Sequence, residues 1–584
     1  MSTMEQPNFP DPQEVMRNRL PIVITALVVV SILLVYRLIL FQELPPEVAA
    51  EFNSLRDATN QTHLQIASAR GRIFDRDGQP LAVNALDFQI GVSPNLISNP
   101  DEVARDLAAI LGGDELEIFN IVNSDVQWEI LAPRVNAEVG QAIEALDIPG
   151  ITIQRIPRRG YPQGTLASHI IGFVGGDLQG YNGVEGYYQD QLSGQIRDEV
   201  VSNIPFEFSE IDVPLSDGRD VVLTIDRDIQ FLAESELLRS VTETAASGGS
   251  IIVMDPRNGD ILAMASYPPF DPNNPDTNNP DLLRNPAISE QYEPGSVMKV
   301  LTVAGALNQG VITPQWSYND QGRLNVGGIV ITNSDRAAHG LVDTTTVLTQ
   351  SLNVGAATIS TTMGPTRFYQ ALSDFGIGQA TGIDLEGEQA GTMFVPGDPE
   401  WSESQLATNA FGQGIAVTPL QLLTAISSIA NGGLMMQPRM VYQIIDGDNV
   451  ITTQPFPLGR PISAETARIV SDMMVAVVNN GQGNLAALPG YSIAGKTGTA
   501  EIPTPIGYEN NAWIMTFVGF LPADDPQVAV LIKLDRPNGR WASQVAAPVF
   551  RRFAERLVIL LEIPPDDVRH ALAAQGGAVT EVER

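Results

Sequence analysis

The chain has 584 residues, no cysteine and a formal net charge of −34. Without cysteine it can form no disulfide, thiol nucleophile or thiolate metal site, so ordinary hydrophobic cores must hold its domains together. The acidic balance argues against nucleic-acid binding, because a phosphate-binding surface needs clustered cations. We expect no metal and no other cofactor, because the histidines have no metal-ligand spacing and should be surface or core residues: His63, His169, His339 and His570.

The first element of the chain is an apolar segment at residues 20–41, long enough to cross a bilayer as one helix. Arginines precede it and glutamates follow it. The positive-inside rule therefore places residues 1–19 in the cytoplasm, as a short disordered tail, and the rest of the chain outside the cell membrane. Residues 48–50 would suit a signal peptidase, but the segment is longer than the core of a cleaved signal, so we expect an uncleaved, single-pass anchor.

An α+β domain is expected to follow the anchor, over residues 42–205. Its first part, residues 43–65, predicts a helix or a linker. Further along, alternating runs such as 88–92 predict strands, and residues 101–112 and 137–146 predict helices. Nothing in the spacing of its residues indicates catalysis.

A second domain is predicted over residues 206–563, followed by a polar tail at 564–584. Strands are expected at both ends of this domain, at 221–225, 250–254, 260–266, 491–499, 513–520 and 527–534. Helices are expected between and around them, at 227–243 with Asp226 as its cap, from 293 to 308, through most of 344–430, and at 543–561. This order predicts an antiparallel sheet whose end strands pair and which helices cover, in a multidomain α/β chain of the α+β type.

Lysine is rare in this chain: only Lys299, Lys496 and Lys533 occur, against 31 arginines. A chain that uses arginine for most cations keeps lysine where an amine must be able to lose its proton, although codon bias would give the same count. Lys533 lies in an apolar run, 528–534, that predicts a strand, so its replacement by arginine is expected to be near silent.

Ser296 lies three residues before Lys299, at the first turn of a predicted apolar helix. Positions i and i+3 share a helix face, so the Lys299 amine can reach the Ser296 hydroxyl. Backbone N–H groups and the helix dipole at a first turn favour a developing negative charge. The spacing therefore indicates a serine acyl-transfer enzyme whose base is a lysine with a pKa lowered by burial and a second cation.

Three motifs in order resemble those of the penicillin-recognising serine transferases, the penicillin-binding proteins and serine β-lactamases: Ser296-Val297-Met298-Lys299, Ser351-Leu352-Asn353 and Lys496-Thr497-Gly498. Further stretches resemble the class B, monofunctional penicillin-binding proteins over residues 20–562: 70–78, 183–185 and 411–414 with 418–419. Residues 70–78 are expected to be structural, with a turn at Asp77-Gly78, and residues 411–414 to shape the wall of the site. The domain at 42–205 would then be this family's pedestal, or dimerisation, domain.

The resemblance implies a peptidoglycan D,D-transpeptidase. Ser296 would attack the penultimate D-Ala carbonyl of a stem peptide while Lys299 takes its proton. Ser351 would relay a proton to the leaving D-Ala, and Asn353 would hold Lys299 and the substrate amide. The acyl-enzyme would then pass to an amine on a neighbouring stem and close a cross-link. The strained ring of a β-lactam would acylate the same serine.

The third motif would bind the substrate. The resemblance implies that Lys496 and the hydroxyls of Thr497 and Thr499, on either side of Gly498, hold the substrate carboxylate. It also implies an oxyanion hole formed by the backbone N–H groups of Ser296 and Thr499. Because residues 43–200 show nothing like a polymerase domain, the partners implied are a membrane glycan polymerase and division or elongation proteins, with a lean toward division.

Two other functions remain open at this stage. A β-lactamase or D,D-carboxypeptidase of the same fold would hydrolyse the acyl-enzyme, but Leu352 stands where class A lactamases have aspartate. A β-lactam sensor or scaffold without turnover could keep an acylable serine. The intact set of Ser296, Lys299 and Lys496 argues against the second alternative.

The uncleaved anchor can be tested on the protein purified from membranes. Its N-terminus should be Met1 or Ser2, and protease added from outside should digest the chain after residue 42, because positive charge holds the tail inside. Intact mass and terminal sequencing measure both features. A mature N-terminus near Glu51 would contradict the anchor.

Overall fold

A computed structural model describes residues 12–42, 61–202, 216–505 and 507–574 of the chain. The backbone forms two compact units: residues 12–42, 61–68, 195–202 and 216 belong to the first, and residues 69–194, 217–505 and 507–574 belong to the second.

The strands, numbered in chain order, are β1 Gln61–Ala67, β2 Ile73–Phe74, β3 Pro80–Val92, β4 Glu129–Val135, β5 Ile151–Gly160, β6 Phe173–Val174, β7 Gly180–Tyr181, β8 Ile196–Ser202, β9 Asp220–Leu223, β10 Gly248–Met254, β11 Ile261–Tyr267, β12 Ser317–Asp320, β13 Arg323–Val326, β14 Ile329–Thr332, β15 Gly340–Asp343, β16 Met435–Met436, β17 Val441–Asp446, β18 Asn449–Thr452, β19 Pro457–Gly459, β20 Ala494–Thr504, β21 Gly507–Leu521 and β22 Val528–Asp535.

The α-helices are α1 Pro12–Gln42, α2 Pro100–Leu111, α3 Glu115–Val122, α4 Ala137–Glu144, α5 Ser168–Ile171, α6 Gly183–Tyr187, α7 Gln189–Leu192, α8 Arg227–Thr244, α9 Pro280–Leu283, α10 Pro286–Ser289, α11 Met298–Asn308, α12 Thr344–Thr349, α13 Asn353–Met363, α14 Pro365–Asp374, α15 Glu403–Thr408, α16 Pro419–Ala430, α17 Ala464–Asn480, α18 Ala546–Leu560 and α19 Asp566–Ala574.

The first unit contains α1 and the antiparallel pair β1–β8, in which Gln61 lies opposite Ser202. Within α1, Leu20–Ile39 has a mean hydropathy of 2.7 and is the one stretch of the described residues long and apolar enough to cross a membrane. The helix begins at Pro12, so the prediction of a disordered tail is wrong for residues 12–19; proline suits a first helical turn, where its missing N–H has no partner to lose. Residues 43–60 of the segment predicted to be a helix or a linker lie outside the described residues. The rest of that segment, residues 61–65, belongs to strand β1.

The α+β character predicted for the region after the anchor is confirmed in the second unit. Strands β4 and β5 pair with β3, and helices α2, α3 and α4 cover them. Phe88 and Ile90 of β3 pack against Leu107 of α2, Ile118 of α3 and Ile143 of α4, all of them buried. The alternation along β3 places these side chains on one face, which explains why the sequence predicted this strand.

One sheet joins strands from the two domains that the sequence predicts. Its order is β18-β17-β9-β2-β3-β4, with β5 also paired to β3, and β2 runs parallel to β9. Gly71, just before β2, has no room for a side chain because the carbonyl of Arg219 lies against its Cα. Asp75 ends β2 by accepting hydrogen bonds from the N–H groups of Asp77 and Gln79, at 3.0 and 2.7 Å, which forms the expected turn.

A buried ion cluster fixes the pedestal segments near this sheet. The Glu185 carboxylate is fully buried and lies 2.7 Å from the guanidinium of Arg70 and 2.7 Å from that of Arg159. Both arginines are at least nine-tenths buried, so the three charges depend on each other. Arg70 and Glu185 belong to two of the stretches that resemble the class B proteins.

The five-stranded sheet has the order β11-β10-β22-β21-β20, and each pair is antiparallel. Since β10 pairs with β22, the predicted pairing of the domain's end strands is confirmed. Alternate residues face opposite sides: Val253 and Val530 pack with α8 and α18, whereas Ile252 and Leu531 pack with the core around α11. The sheet therefore lies between two helical layers.

In the second unit, three stretches differ from the sequence predictions. Residues 375–402 contain no helix, because glycines at 376, 378, 382, 387, 391 and 397 break the expected helical section. Strands β20 and β21 extend past their predicted ends into one long hairpin that pairs Thr504 with Gly507. In the predicted polar tail, residues 566–574 form α19, whose Arg569 is nearly buried and lies 2.8 Å from Asp566.

We expect Glu185→Ala to lower the free energy of unfolding by about 3–5 kcal/mol, because it leaves the buried Arg159 guanidinium without a counter-charge. The exposed pair of Arg468 and Asp472 gives a control, since Asp472→Ala should change the same quantity by less than about 0.5 kcal/mol. Denaturant unfolding of the detergent-solubilised protein measures both. Equal effects would show that the cluster is not structural.

Candidate active site

Ser296 lies on a single 3₁₀ turn, Gly295–Val297, that leads directly into α11. Gly295 has φ +55°, a conformation that favours glycine, and a Cβ there would lie 2.8 Å from the Thr499 carbonyl oxygen. The Gly295 N–H donates to the Gly412 carbonyl at 3.2 Å, and Gly412 also lacks room for a side chain. These close approaches fix the backbone immediately before the serine.

Lys299 extends from the first turn of α11 and its side chain is fully buried. Its Nζ lies 3.0 Å from Ser296 Oγ, as the i, i+3 spacing predicted. It also donates to the Ser351 carbonyl at 2.6 Å and to Asn353 Oδ1 at 2.7 Å, and it lies 3.2 Å from Ser351 Oγ. All of these partners are neutral.

The electrostatics of the site favour a neutral amine at Lys299. Burial first, and the positive charge of Lys496 second, hold the pKa of Lys299 well below its usual range. Burial also lowers the pKa of Lys496, to about 7. Because the charge of Lys496 acts on Lys299, Lys299 gives up its proton first, and the pair then holds one proton on Lys496.

Ser351 connects the two amines. Its Oγ lies 3.2 Å from Lys299 Nζ and 3.1 Å from Lys496 Nζ, and the residue is almost fully buried. Ser351 has φ +57°, a left-handed conformation that costs a non-glycine residue energy and that clusters at functional sites. A hydroxyl in this place can accept from one amine and donate to the other, which makes a proton path.

Strand β20 brings the third motif against the serine turn. Lys496 is fully buried, whereas Thr497 and Thr499 line the cleft beside Ser296. Gly498 allows this approach, because a Cβ there would lie 2.7 Å from the Pro294 carbonyl oxygen. Thr499 Oγ1 accepts a hydrogen bond from the Ala542 N–H at 3.0 Å.

All of the residues singled out in the three sequence motifs therefore meet at one cleft. Sequence reasoning also expected the 411–414 stretch to shape its wall, and Phe411 and Gln413 line it. It missed Ser334, Gln482 and Trp541, which line the same cleft from three loops. No motif marks these positions. Only Trp541 stood out by residue type, because tryptophan is rare in this chain and this one lies just before the helix predicted from residue 543.

The third lysine has a different environment. Lys533 Nζ lies 2.6 Å from Asp535 and 3.3 Å from Glu290, and it sits 5.4 Å from the Tyr292 ring centre. It is nearly fully buried on β22, within a packed ion cluster. The near-silent effect expected of arginine at this position stays a prediction. Carboxylates neutralise Lys533, whereas neutral partners surround Lys299.

The histidines that the structure describes in full have structural surroundings. His169 is buried in the core, and its Nε2 lies 3.1 Å from the Leu282 carbonyl, while burial lowers its pKa to about 4. His339 lies 2.9 Å from Asp335, and His570 lies 2.6 Å from Asp524.

Comparison with known proteins agrees with this geometry. Residues 249–555 match the penicillin binding protein transpeptidase domain, and residues 65–204 match the penicillin-binding protein dimerisation domain. Stage V sporulation protein D of Bacillus subtilis is 34% identical over 515 residues, which cover 85% of this chain and 79% of that protein. The peptidoglycan D,D-transpeptidase FtsI of Escherichia coli is 31% identical over 539 residues, which cover 90% of this chain and 89% of FtsI.

Solved structures also show similarity to penicillin-binding proteins. Penicillin binding protein 3 from Mycobacterium tuberculosis, complexed with aztreonam, is similar with a TM-score of 0.67 and 29% identity, over 86% of this chain and 98% of that one. The chain therefore belongs to the class B penicillin-binding proteins, whose transpeptidase domain follows a dimerisation domain.

The protonation of the two amines predicts a pH profile for acylation by a fluorescent penicillin. Lys496 is charged below its pKa of about 7 and loses that charge above it, so the acylation rate of the free enzyme should fall as the pH rises through that value. In Lys496→Arg the maximum should be lower, but the alkaline fall should disappear, because a guanidinium stays protonated.

Lys299→Arg is the matched variant at the other amine. Its guanidinium cannot accept the Ser296 proton, so the rate should fall by about 10²- to 10⁴-fold across the whole pH range. For the pH profile, if the acylation rate of Lys496→Arg still fell at alkaline pH, that fall would have to come from the titration of a group other than Lys496.

Proposed function

We propose that this chain is a peptidoglycan D,D-transpeptidase that cross-links stem peptides through an acyl-enzyme on Ser296. One observation carries the proposal: the Lys299 amine, 3.0 Å from Ser296 Oγ, is buried among neutral partners with its pKa well below the usual range. A buried, uncharged amine beside a hydroxyl is a general base for a serine nucleophile. The names of the relatives, among them a peptidoglycan D,D-transpeptidase, support the substrate class.

Acylation begins with proton transfer from Ser296 Oγ to Lys299 Nζ as Oγ attacks the carbonyl carbon of the penultimate D-Ala. The carbonyl oxygen becomes an oxyanion, which the N–H groups of Ser296 and Thr499 would stabilise. Support for this pairing comes from the close contact between β20 and the serine turn, which places Thr499 against Gly295.

Collapse of the tetrahedral intermediate breaks the bond to the terminal D-Ala, and the leaving amine needs a proton. Ser351 Oγ lies within about 3 Å of both amines and would supply that proton from the Lys299–Lys496 pair. Asn353 would hold Lys299 through Oδ1. It would hold the substrate amide through the Nδ2 hydrogen that the Thr332 carbonyl leaves free. An amine of a second stem then attacks the acyl-enzyme by the same steps in reverse.

The third motif would bind the acyl donor. Lys496 carries the positive charge of the pair, and the hydroxyls of Thr497 and Thr499 line the same wall, so a terminal carboxylate has a cation and hydroxyl donors there. Gly498 keeps the strand close enough to Ser296 for one peptide to reach both. β-Lactams would enter the same cleft, because they carry a carboxylate beside the reactive carbonyl.

The proposal includes the domain plan and the location. Residues 20–41 would anchor the chain in the cell membrane with residues 1–19 in the cytoplasm; residues 42–205 would form an extracytoplasmic pedestal and residues 206–563 the transpeptidase domain, with a polar C-terminal segment at 564–584. The hydropathy of Leu20–Ile39 supports the anchor. A membrane glycan polymerase and proteins of division or elongation would be its partners.

Penicillin tests the proposal directly. Mass spectrometry of the treated protein should find one adduct, on the peptide that contains Ser296, and the adduct should last for minutes or longer. Ser296→Ala should remove it, while Ser334→Ala, at another serine that lines the cleft, should not. Rapid turnover of penicillin would favour a β-lactamase or carboxypeptidase. Acylation without any cross-linked product from stem peptides and an amine acceptor would favour a sensor.

A further inference from the structure

The turn that carries Ser351 and Asn353 depends on its neighbours for its conformation. Ser351 is left-handed, with φ +57°, and such a residue keeps its conformation only where its surroundings impose it. On the N-terminal side, the N–H of Ser351 donates to the Leu348 carbonyl at 3.2 Å, and that of Leu352 donates to the Val347 carbonyl at 2.9 Å. The supports on the C-terminal side come from a different part of the chain.

The end of strand β14 supplies those supports. Asn353 Nδ2 donates to the Thr332 carbonyl at 3.1 Å. The next N–H along the turn, that of Val354, donates to Asn333 Oδ1 at 3.1 Å. An N–H in the first turn of a helix has no partner within the helix, and a cap normally comes from the residue just before it. In α13 a remote asparagine provides this cap.

Asp320 and the Ala337 carbonyl decide which way the Asn333 amide faces. Both residues are buried, at 1% and 2% exposure. The Asp320 carboxylate accepts from the Gly322 N–H at 2.9 Å and from Asn333 Nδ2 at 2.8 Å. Asn333 Nδ2 also donates to the Ala337 carbonyl at 3.1 Å. Because carboxylate and carbonyl oxygens accept hydrogen bonds, the amide nitrogen faces Asp320 and Ala337, and Oδ1 faces the Val354 N–H.

The Ser351–Asn353 turn determines where the Lys299 amine lies. Two of its oxygens, the Ser351 carbonyl at 2.6 Å and Asn353 Oδ1 at 2.7 Å, accept from Lys299 Nζ. The same amine is 3.0 Å from Ser296 Oγ. A shift of the turn would therefore move the base relative to the nucleophile, and a misplacement of about 1 Å can cost about 100-fold in rate.

We propose that Asn333 and Asp320 are positioning residues of the acyl-transfer site: together they hold the Ser351–Asn353 turn, and through it the Lys299 amine, in the reactive arrangement. The inference rests on the proposed function, since it concerns the efficiency of the same serine. Neither residue is among those that line the cleft. Their effect passes through backbone N–H and carbonyl groups of the turn.

A reciprocal exchange tests the pair. Asn333→Asp places two carboxylates face to face, and Asp320→Asn leaves amide N–H groups facing each other, so each single variant loses the donor–acceptor match. The double variant restores one donor against one acceptor between positions 320 and 333, and the carboxylate at position 333 can still accept from Val354. Each single variant should lower the acylation rate constant by about 10- to 100-fold. The double variant should recover part of that loss relative to Asn333→Asp, because only the contact with the Ala337 carbonyl then stays unmatched.

The readout is the first-order acylation rate constant of the full-length protein with a fluorescent penicillin, expressed per acylatable molecule, together with the dissociation constant of the non-covalent complex. Positioning predicts a lower rate constant with an unchanged dissociation constant. Asn333→Ala introduces no charge and should give the same fall, which keeps the test decisive if a charged variant does not fold. Asn285→Asp is the control, because Asn285 is a similarly buried cap, of α10, and should leave the rate constant unchanged.

The outcomes separate the two claims. A smaller acylatable fraction with a normal rate constant in Asn333→Ala, or no recovery in the double variant, would overturn the inference and leave the proposed function standing. Absence of acylation in the unaltered protein would overturn the proposed function and this inference with it.

Discussion

Two lysine amines buried around one serine hydroxyl are the constraint on which the rest of the structure depends. Lys299 and Lys496 are both fully buried, and their hydrogen-bond partners are neutral. Burial without counter-charges is unfavourable for folding, and it lowers the pKa values, so the cost of the site and its reactivity have the same origin. Lys533, equally buried but paired with Asp535 and Glu290, shows the ordinary alternative in the same sheet.

The architecture around this pair brings together three segments that lie far apart in the sequence. The serine turn, the Ser351–Asn353 turn and strand β20 are placed by helix α11, by the connection between α12 and α13, and by the edge of the five-stranded sheet. Glycines make the contacts close enough: Gly498 lies against Pro294, and Gly295 lies against Thr499. Larger side chains at these points would push strand β20 away from the serine turn.

Rigid polar contacts, rather than apolar packing alone, hold the parts that must not move. Asp320 and Asn333 support the strained turn from β12 and the end of β14, and the Glu185 cluster performs a similar task in the pedestal. In each case buried polar groups pair with specific partners, which favours one conformation. The sheet that joins β2 to β9 shows that strands before and after the predicted domain boundary share one hydrogen-bonded layer.

The sequence by itself determined the fold class, the pairing of the domain's end strands and the three motifs, because periodicity, caps and the serine–lysine spacing are local signals. Asp226 as the cap of α8 and the i, i+3 reach of Lys299 are examples. Only the tertiary structure decided how Ser351 bridges two amines and that a carboxylate pairs with Lys533. It also decided that Asn333 caps α13 and that Trp541 lines the cleft. These features arise from contacts between segments distant in the chain, and burial, which lowers the pKa of Lys299 and of Lys496, exists only after those segments have met.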